Sequence, residues 1–155
     1  VHVMQSKLYI FLIILFNLNI YNSSANEHAK FLSLKKNKVN VRQGPSFDYP
    51  IKFIYKKKYL PVKVVDRSDS WRKVMDYKNN LGWIHISQLS KIKSVINIKN
   101  NGILYKKPTI YSKPIAKIEN GRLFLIKKCK NIWCKVKSEN YVGWVNKSNL
   151  WGNFK

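Results

Sequence analysis

From about residue 31 the chain is written in short runs of alternating apolar and polar residues. Val39-Asn40-Val41-Arg42 alternates as a half-buried strand does, and Gln43-Gly44-Pro45-Ser46 after it is turn chemistry. Ile51-Lys52-Phe53-Ile54-Tyr55 predicts a second strand, closed by the charged turn Lys56-Lys57-Lys58. Leu60 to Asp66 alternates again, Asp66 to Ser70 predicts a polar turn, and Trp71 to Tyr77 the next strand. Lys78-Asn79-Asn80 then turns the chain into Gly82-Trp83-Ile84. No helical period runs through this stretch. Five short strands with turns every 6 to 12 residues predict an all-β fold, a small five-stranded antiparallel barrel.

The pattern occurs twice. Gly82-Trp83-Ile84-His85-Ile86-Ser87-Gln88-Leu89 returns as Gly143-Trp144-Val145-Asn146-Lys147-Ser148-Asn149-Leu150, offset by 61. Trp71-Arg72-Lys73-Val74 returns as Trp133-Cys134-Lys135-Val136, offset by 62. Leu104, Pro108, Gly121 and Leu123 follow Val41, Pro45, Lys58 and Leu60 by 63. Drifts of one residue are what hairpin turns of variable length produce. Two tandem units are therefore expected, over residues 31–92 and 93–155. The second has Tyr105 where the first has Arg42, and Ser90 to Asn101 reads either as a linker or as its first strand. A unit of roughly 60 residues buries only about 60% of its unfolded surface, so its core must be compact. Five Trp, nine Tyr and seven Phe supply the bulk.

Residues 1–25 read as a signal peptide. Lys7 is the sole charge, Leu8 to Phe16 an apolar run, and Ser23-Ser24-Ala25 small residues that put cleavage before Asn26. The run is short for a membrane span, the alternative being an uncleaved anchor. A secreted or periplasmic chain meets oxidising conditions.

Thirty basic against seven acidic residues give a formal charge of +23. That balance suits an anionic partner, a nucleic acid or an anionic envelope polymer. An AT-rich genome, with its excess of Lys, Asn, Ile, Tyr and Phe codons, produces the same balance without any such site.

Catalysis needs convergent acids, bases or nucleophiles. Beyond residue 25 there are His28 and His85 and seven scattered carboxylates, with no zinc spacing, phosphate loop or Gly-x-Ser-x-Gly elbow. A non-enzymatic protein without metal or cofactor is expected, with His85 a surface residue. The aromatics carry more information. Alternation puts Trp71, Lys73, Met75 and Tyr77 on one strand face and Val74 on the other, and sets Trp133, Lys135 and Lys137 against Val136. If the valines fill the core, the tryptophans face outward and form a ligand shelf. Tyr49, Trp71, Tyr77, Trp83, Trp133 and Trp144 are its candidate residues. The alternative is that each Trp caps one end of a small core.

Val39 through Ile51, Leu60-Pro61-Val62, Trp71 to Val74 and Gly82 to His85 together resemble the bacterial SH3-like domain, more narrowly the exported tandem SH3-like proteins of alpha-proteobacteria. The second unit is similar to their second domain through Cys129, Trp133-Cys134, Gly143-Trp144-Val145 and Leu150-Trp151-Gly152. The resemblance implies a five-stranded SH3-like barrel, no catalysis, and binding of cell-wall peptides or envelope proteins.

Cys129 and Cys134 are expected to form a disulfide. Four residues, Lys130 to Trp133, separate them, a usual hairpin loop length, and residues flanking such a loop face each other at a separation a disulfide can close. Two free buried thiols or a metal pair are the alternatives.

Overall fold

The structure is a computed structural model and describes residues 30–154, so the leader expected over residues 1–25 lies outside the described residues. The chain is all-β, with two antiparallel sheets of seven strands each. The first contains β1 (Phe31–Leu34), β2 (Val39–Arg42), β3 (Ile51–Tyr55), β4 (Pro61–Ser68), β5 (Trp71–Met75), β6 (Leu81–His85) and β7 (Leu89–Ser90), with a 3-10 turn at Ile86–Gln88. The second contains β8 (Ser94–Asn97), β9 (Gly102–Tyr105), β10 (Pro114–Ile118), β11 (Leu123–Lys130), β12 (Trp133–Ser138), β13 (Tyr141–Asn146) and β14 (Leu150–Gly152), with a matching 3-10 turn at Lys147–Asn149. Strand order is β3-β2-β6-β5-β4-β1-β7, then β10-β9-β13-β12-β11-β8-β14. The sequence repeat is a repeat of topology.

The five strands read from the first unit are β2 to β6. Seven stand in each sheet instead of five, because β1 and its counterpart β8 pair with both β4 and β7, or both β11 and β14. Ser90 to Asn101 holds strand β8. The polar turn expected over Asp66 to Ser70 is shorter, since β4 continues to Ser68 and a bulge lies between Val64 and Asp66.

The alternation has its expected cause. Val39, Val41, Val62, Val74 and Ile84 are fully buried in one core, and Leu104, Val136, Val145 and Phe124 are buried in the other. The repeated Gly of each Gly-Trp pair sits where strands approach closely. A Cβ on Gly82 would collide with Val41 Cγ1, and one on Gly143 would stand 2.6 Å from Leu104 Cγ. The units share packing: Ile96 of β8 belongs to the first core and Leu123 of β11 leans on it. Phe31 meets Trp151 edge-on at 4.9 Å.

Cys129 and Cys134 are disulfide-bonded and are direct partners across the β11–β12 ladder. The ladder runs one pair further, to Lys130 and Trp133, so the loop is the two residues Asn131-Ile132. Asn131 at φ 50° permits that tightness, as Asp69 at φ 46° does in the β4–β5 hairpin.

Candidate functional site: an aromatic face on the first sheet

β5 and β6 are antiparallel neighbours that place Trp71 opposite His85. Trp71 belongs to neither core cluster, so it lies on the face away from Val74 as alternation requires. It is nevertheless only 7% exposed. Phe47, from the loop between β2 and β3, covers it with ring centroids 4.9 Å apart, and His85 stands 5.3 Å from each of those rings. The outward ring of the shelf is therefore Phe47, at 63% exposure, with Trp71 as its base.

Arg42, the last residue of β2, ties this loop down. Its guanidinium lies 5.6 Å from the Phe47 ring centre and Nη1 donates to the Tyr49 carbonyl at 2.7 Å. Tyr49 packs against Gly44, where a Cβ would come within 2.6 Å of its ring. The Ser46 hydroxyl donates to the Asp48 carboxylate at 2.9 Å. His85 is held in turn: Nδ1 accepts from the Ser87 backbone N–H at 3.3 Å and lies 2.8 Å from its hydroxyl. The result is a ring, a cation and an exposed phenol, Tyr49, on one fixed loop.

The other sequence candidates lie elsewhere. Trp83 is half-buried and pairs with Arg42 across β6 and β2. Tyr77 points to the junction of the sheets, where its hydroxyl faces Gly121. Trp133 is 8% exposed and meets Tyr105 edge-on at 5.7 Å. Trp144 is buried with the Lys128 ammonium 5.9 Å from its ring centre. Phe47, Arg42 and His85 were not among the sequence candidates. The available signal was an aromatic inside turn chemistry, with no side chain of its own periodic face to pack on.

A family model, that of the bacterial SH3 domain, matches the chain at residues 35–91 and again at 99–152. The chain belongs to the bacterial SH3 domain family. Among solved structures, it is similar to NlpC2 and NlpC1 from Trichomonas vaginalis, each at 13% identity and a TM-score of 0.36, over 82% and 83% of this chain and 49% and 47% of theirs. It is also similar to an NlpC/P60 family protein from Bacillus cereus ATCC 10987, at 15% identity and a TM-score of 0.35, over 79% of this chain and 56% of that one. The chain thus spans about half the length of the solved structures it matches. No curated protein matches it.

The two bacterial SH3 domains are not equivalent at this face. In the second, Ile110 and Asn146 stand where the first has Phe47 and His85, and Tyr105 replaces Arg42. The first also contains a buried carboxylate the second lacks. Asp76 accepts from the Tyr55 hydroxyl at 3.1 Å and from the backbone N–H groups of Lys78 and Asn80 at 2.9 Å each. Burial, then the Asp76 charge and this hydrogen bond, push the Tyr55 hydroxyl well above the ordinary tyrosine range.

Proposed function

We propose that the chain is an exported, non-catalytic binding module in which tandem bacterial SH3 domains hold a cell-wall peptide or a segment of an envelope protein. Each domain, 31–92 and 93–155, is taken as an SH3-like barrel built on five strands, with β1 and β7, or β8 and β14, as additions. The binding face is Phe47 with Trp71 and His85 beneath it and Arg42 and Tyr49 beside it. One observation carries this reading: Phe47 is an exposed ring held by Arg42, Trp71 and His85. A ring fixed before the ligand arrives loses little freedom on binding, which favours affinity. Capture of the full chain on purified peptidoglycan tests it, with Phe47→Ala expected to reduce capture strongly while the protein stays folded. Equal capture by the variant would remove the face from the reading.

The charge of +23 favours a second reading, adhesion to an anionic polymer. Capture repeated at two salt concentrations separates them. Polyanion binding falls steeply with salt, and binding on an aromatic face far less.

A further inference from the structure

The repeat offers an internal comparison at one place in each core. In the first sheet Val41 pairs with Phe53 and Val39 with Tyr55; the two rings pack edge-on at 5.1 Å and the Tyr55 hydroxyl reaches Asp76. In the second, the same register pairs Leu104 with Ala116 and Gly102 with Ile118. Ser138 follows Val136 as Asp76 follows Val74. Two rings and a carboxylate are thus exchanged for a methyl group, a branched alkyl group and a hydroxyl. Phe124 and Leu104, standing where the first unit has Pro61 and Val41, recover part of the volume. A cleft of about 240 Å³ remains, lined by Leu104, Ala116, Ile118, Phe124, Arg122 and Ser138.

Its polarity is inverted relative to the first unit. There, an acceptor (Asp76) meets a phenol that donates. Here Arg122 Nε donates to the Ser138 hydroxyl at 3.0 Å, and Nη2 lies 3.4 Å from the Glu139 carboxylate, which is 78% exposed. Those contacts engage only part of the guanidinium's five donors. Lys117, Glu119 and Tyr141 complete the lining. The hollow therefore suits an apolar body carrying a negative tip. It is smaller than the ~300–1,000 Å³ of pockets that enclose a whole small molecule, so it suits one residue.

We propose that this cleft binds the C-terminal residue of a peptide, a large apolar side chain filling the hollow and the free carboxylate resting on Arg122. A chain end is the one place where a peptide presents both groups on a single carbon. On the other side of Arg122, burial and the Arg122 charge hold the Lys57 ammonium below its usual range, against the pull of Glu139. An arriving carboxylate relieves that crowding of positive charge. The inference rests on the reading of the chain as a peptide-binding module but uses a different surface.

The test is a titration of the full, disulfide-bonded chain with N-acetyl-Gly-Phe, followed by amide NMR. The expected result is saturable shifts at Ala116, Ile118, Arg122 and Ser138. The C-terminal amide of the same probe and N-acetyl-Gly-Ala should each bind at least ten-fold more weakly. The double variant Ala116→Phe, Ile118→Tyr refills the hollow on the pattern of the first unit and should abolish binding. Equal binding of acid and amide by the unaltered chain overturns the proposal, whatever the variant does. So do undiminished binding by the refilled variant and shifts confined to the Phe47 face. Loss of peptidoglycan capture in Phe47→Ala leaves this titration untouched. Failure of the titration with capture intact removes this cleft alone.

Discussion

His85 Nδ1 and Asn146 Oδ1 stand at the same place in the two units and accept the same hydrogen bond, from the backbone N–H of Ser87 at 3.3 Å and of Ser148 at 2.9 Å. Each caps a 3-10 turn, but only His85 also lays a ring against Phe47 and Trp71. Cap and ring can therefore be separated. His85→Asn should keep stability within about 0.5 kcal/mol while weakening peptidoglycan capture, and His85→Ala should lose about a further 0.5–1 kcal/mol with the cap. Melting curves beside capture assays check this, and full capture by His85→Asn would show the ring to be dispensable.

Trp71 and Phe47 should respond very unequally to truncation. Trp71 is buried, so Trp71→Ala should cost about 3–5 kcal/mol and lower the melting midpoint sharply. Phe47 is exposed and its removal forfeits mainly ring contacts worth about 0.5–1.5 kcal/mol. Denaturant titration of both variants ranks them. A stable Trp71→Ala protein would contradict its place as the base of the face.

The disulfide closes a very short loop, so reduction should lower stability by only about 2 kcal/mol by the chain-entropy estimate. Denatured, unreduced protein should contain no reactive thiol among Cys129 and Cys134. Ellman titration before and after reduction, with melting curves of both forms, measures the two quantities together.

Tyr55 supplies a pH dependence. Folded, its hydroxyl keeps its proton well beyond the ordinary value of 10.0; unfolded, it gives the proton up from there. The unfolded state then binds fewer protons, so stability falls as pH rises above about 10, and the contribution is whole below it. Tyr55→Phe should flatten that part of the curve and cost about 1 kcal/mol at neutral pH for the lost hydrogen bond to Asp76. Denaturation of both proteins between pH 8 and 11 compares the slopes; parallel slopes would count against the assignment.

The Gly-Trp repeat, the alternating valines and the cysteine pair were legible because each is a local pattern with one physical outcome. Alternation turns Val41 and Val74 to the core, and the short hairpin sets Cys129 opposite Cys134. The two-residue loop was not, because it depends on Asn131 taking a left-handed conformation that a residue type allows without requiring. Strand β1 escaped because Leu32, Ser33 and Leu34 are all buried, with no alternation to read. The face was half legible. Alternation turns Trp71 away from Val74, but what then covers it is a loop residue brought from another hairpin, and no period connects Phe47 to it.

Ile96 completes the first core from the far side of the boundary between the repeats, and Leu123 supports it there. A ribosome delivers the first unit's own strands shortly before Ile96 and well before Leu123. The nascent unit therefore waits with an unfinished interior, and its last packing step coincides with the arrival of its neighbour. Two similar modules are thus coupled in one direction: a first unit cut away before Ile96 would lose part of its own interior.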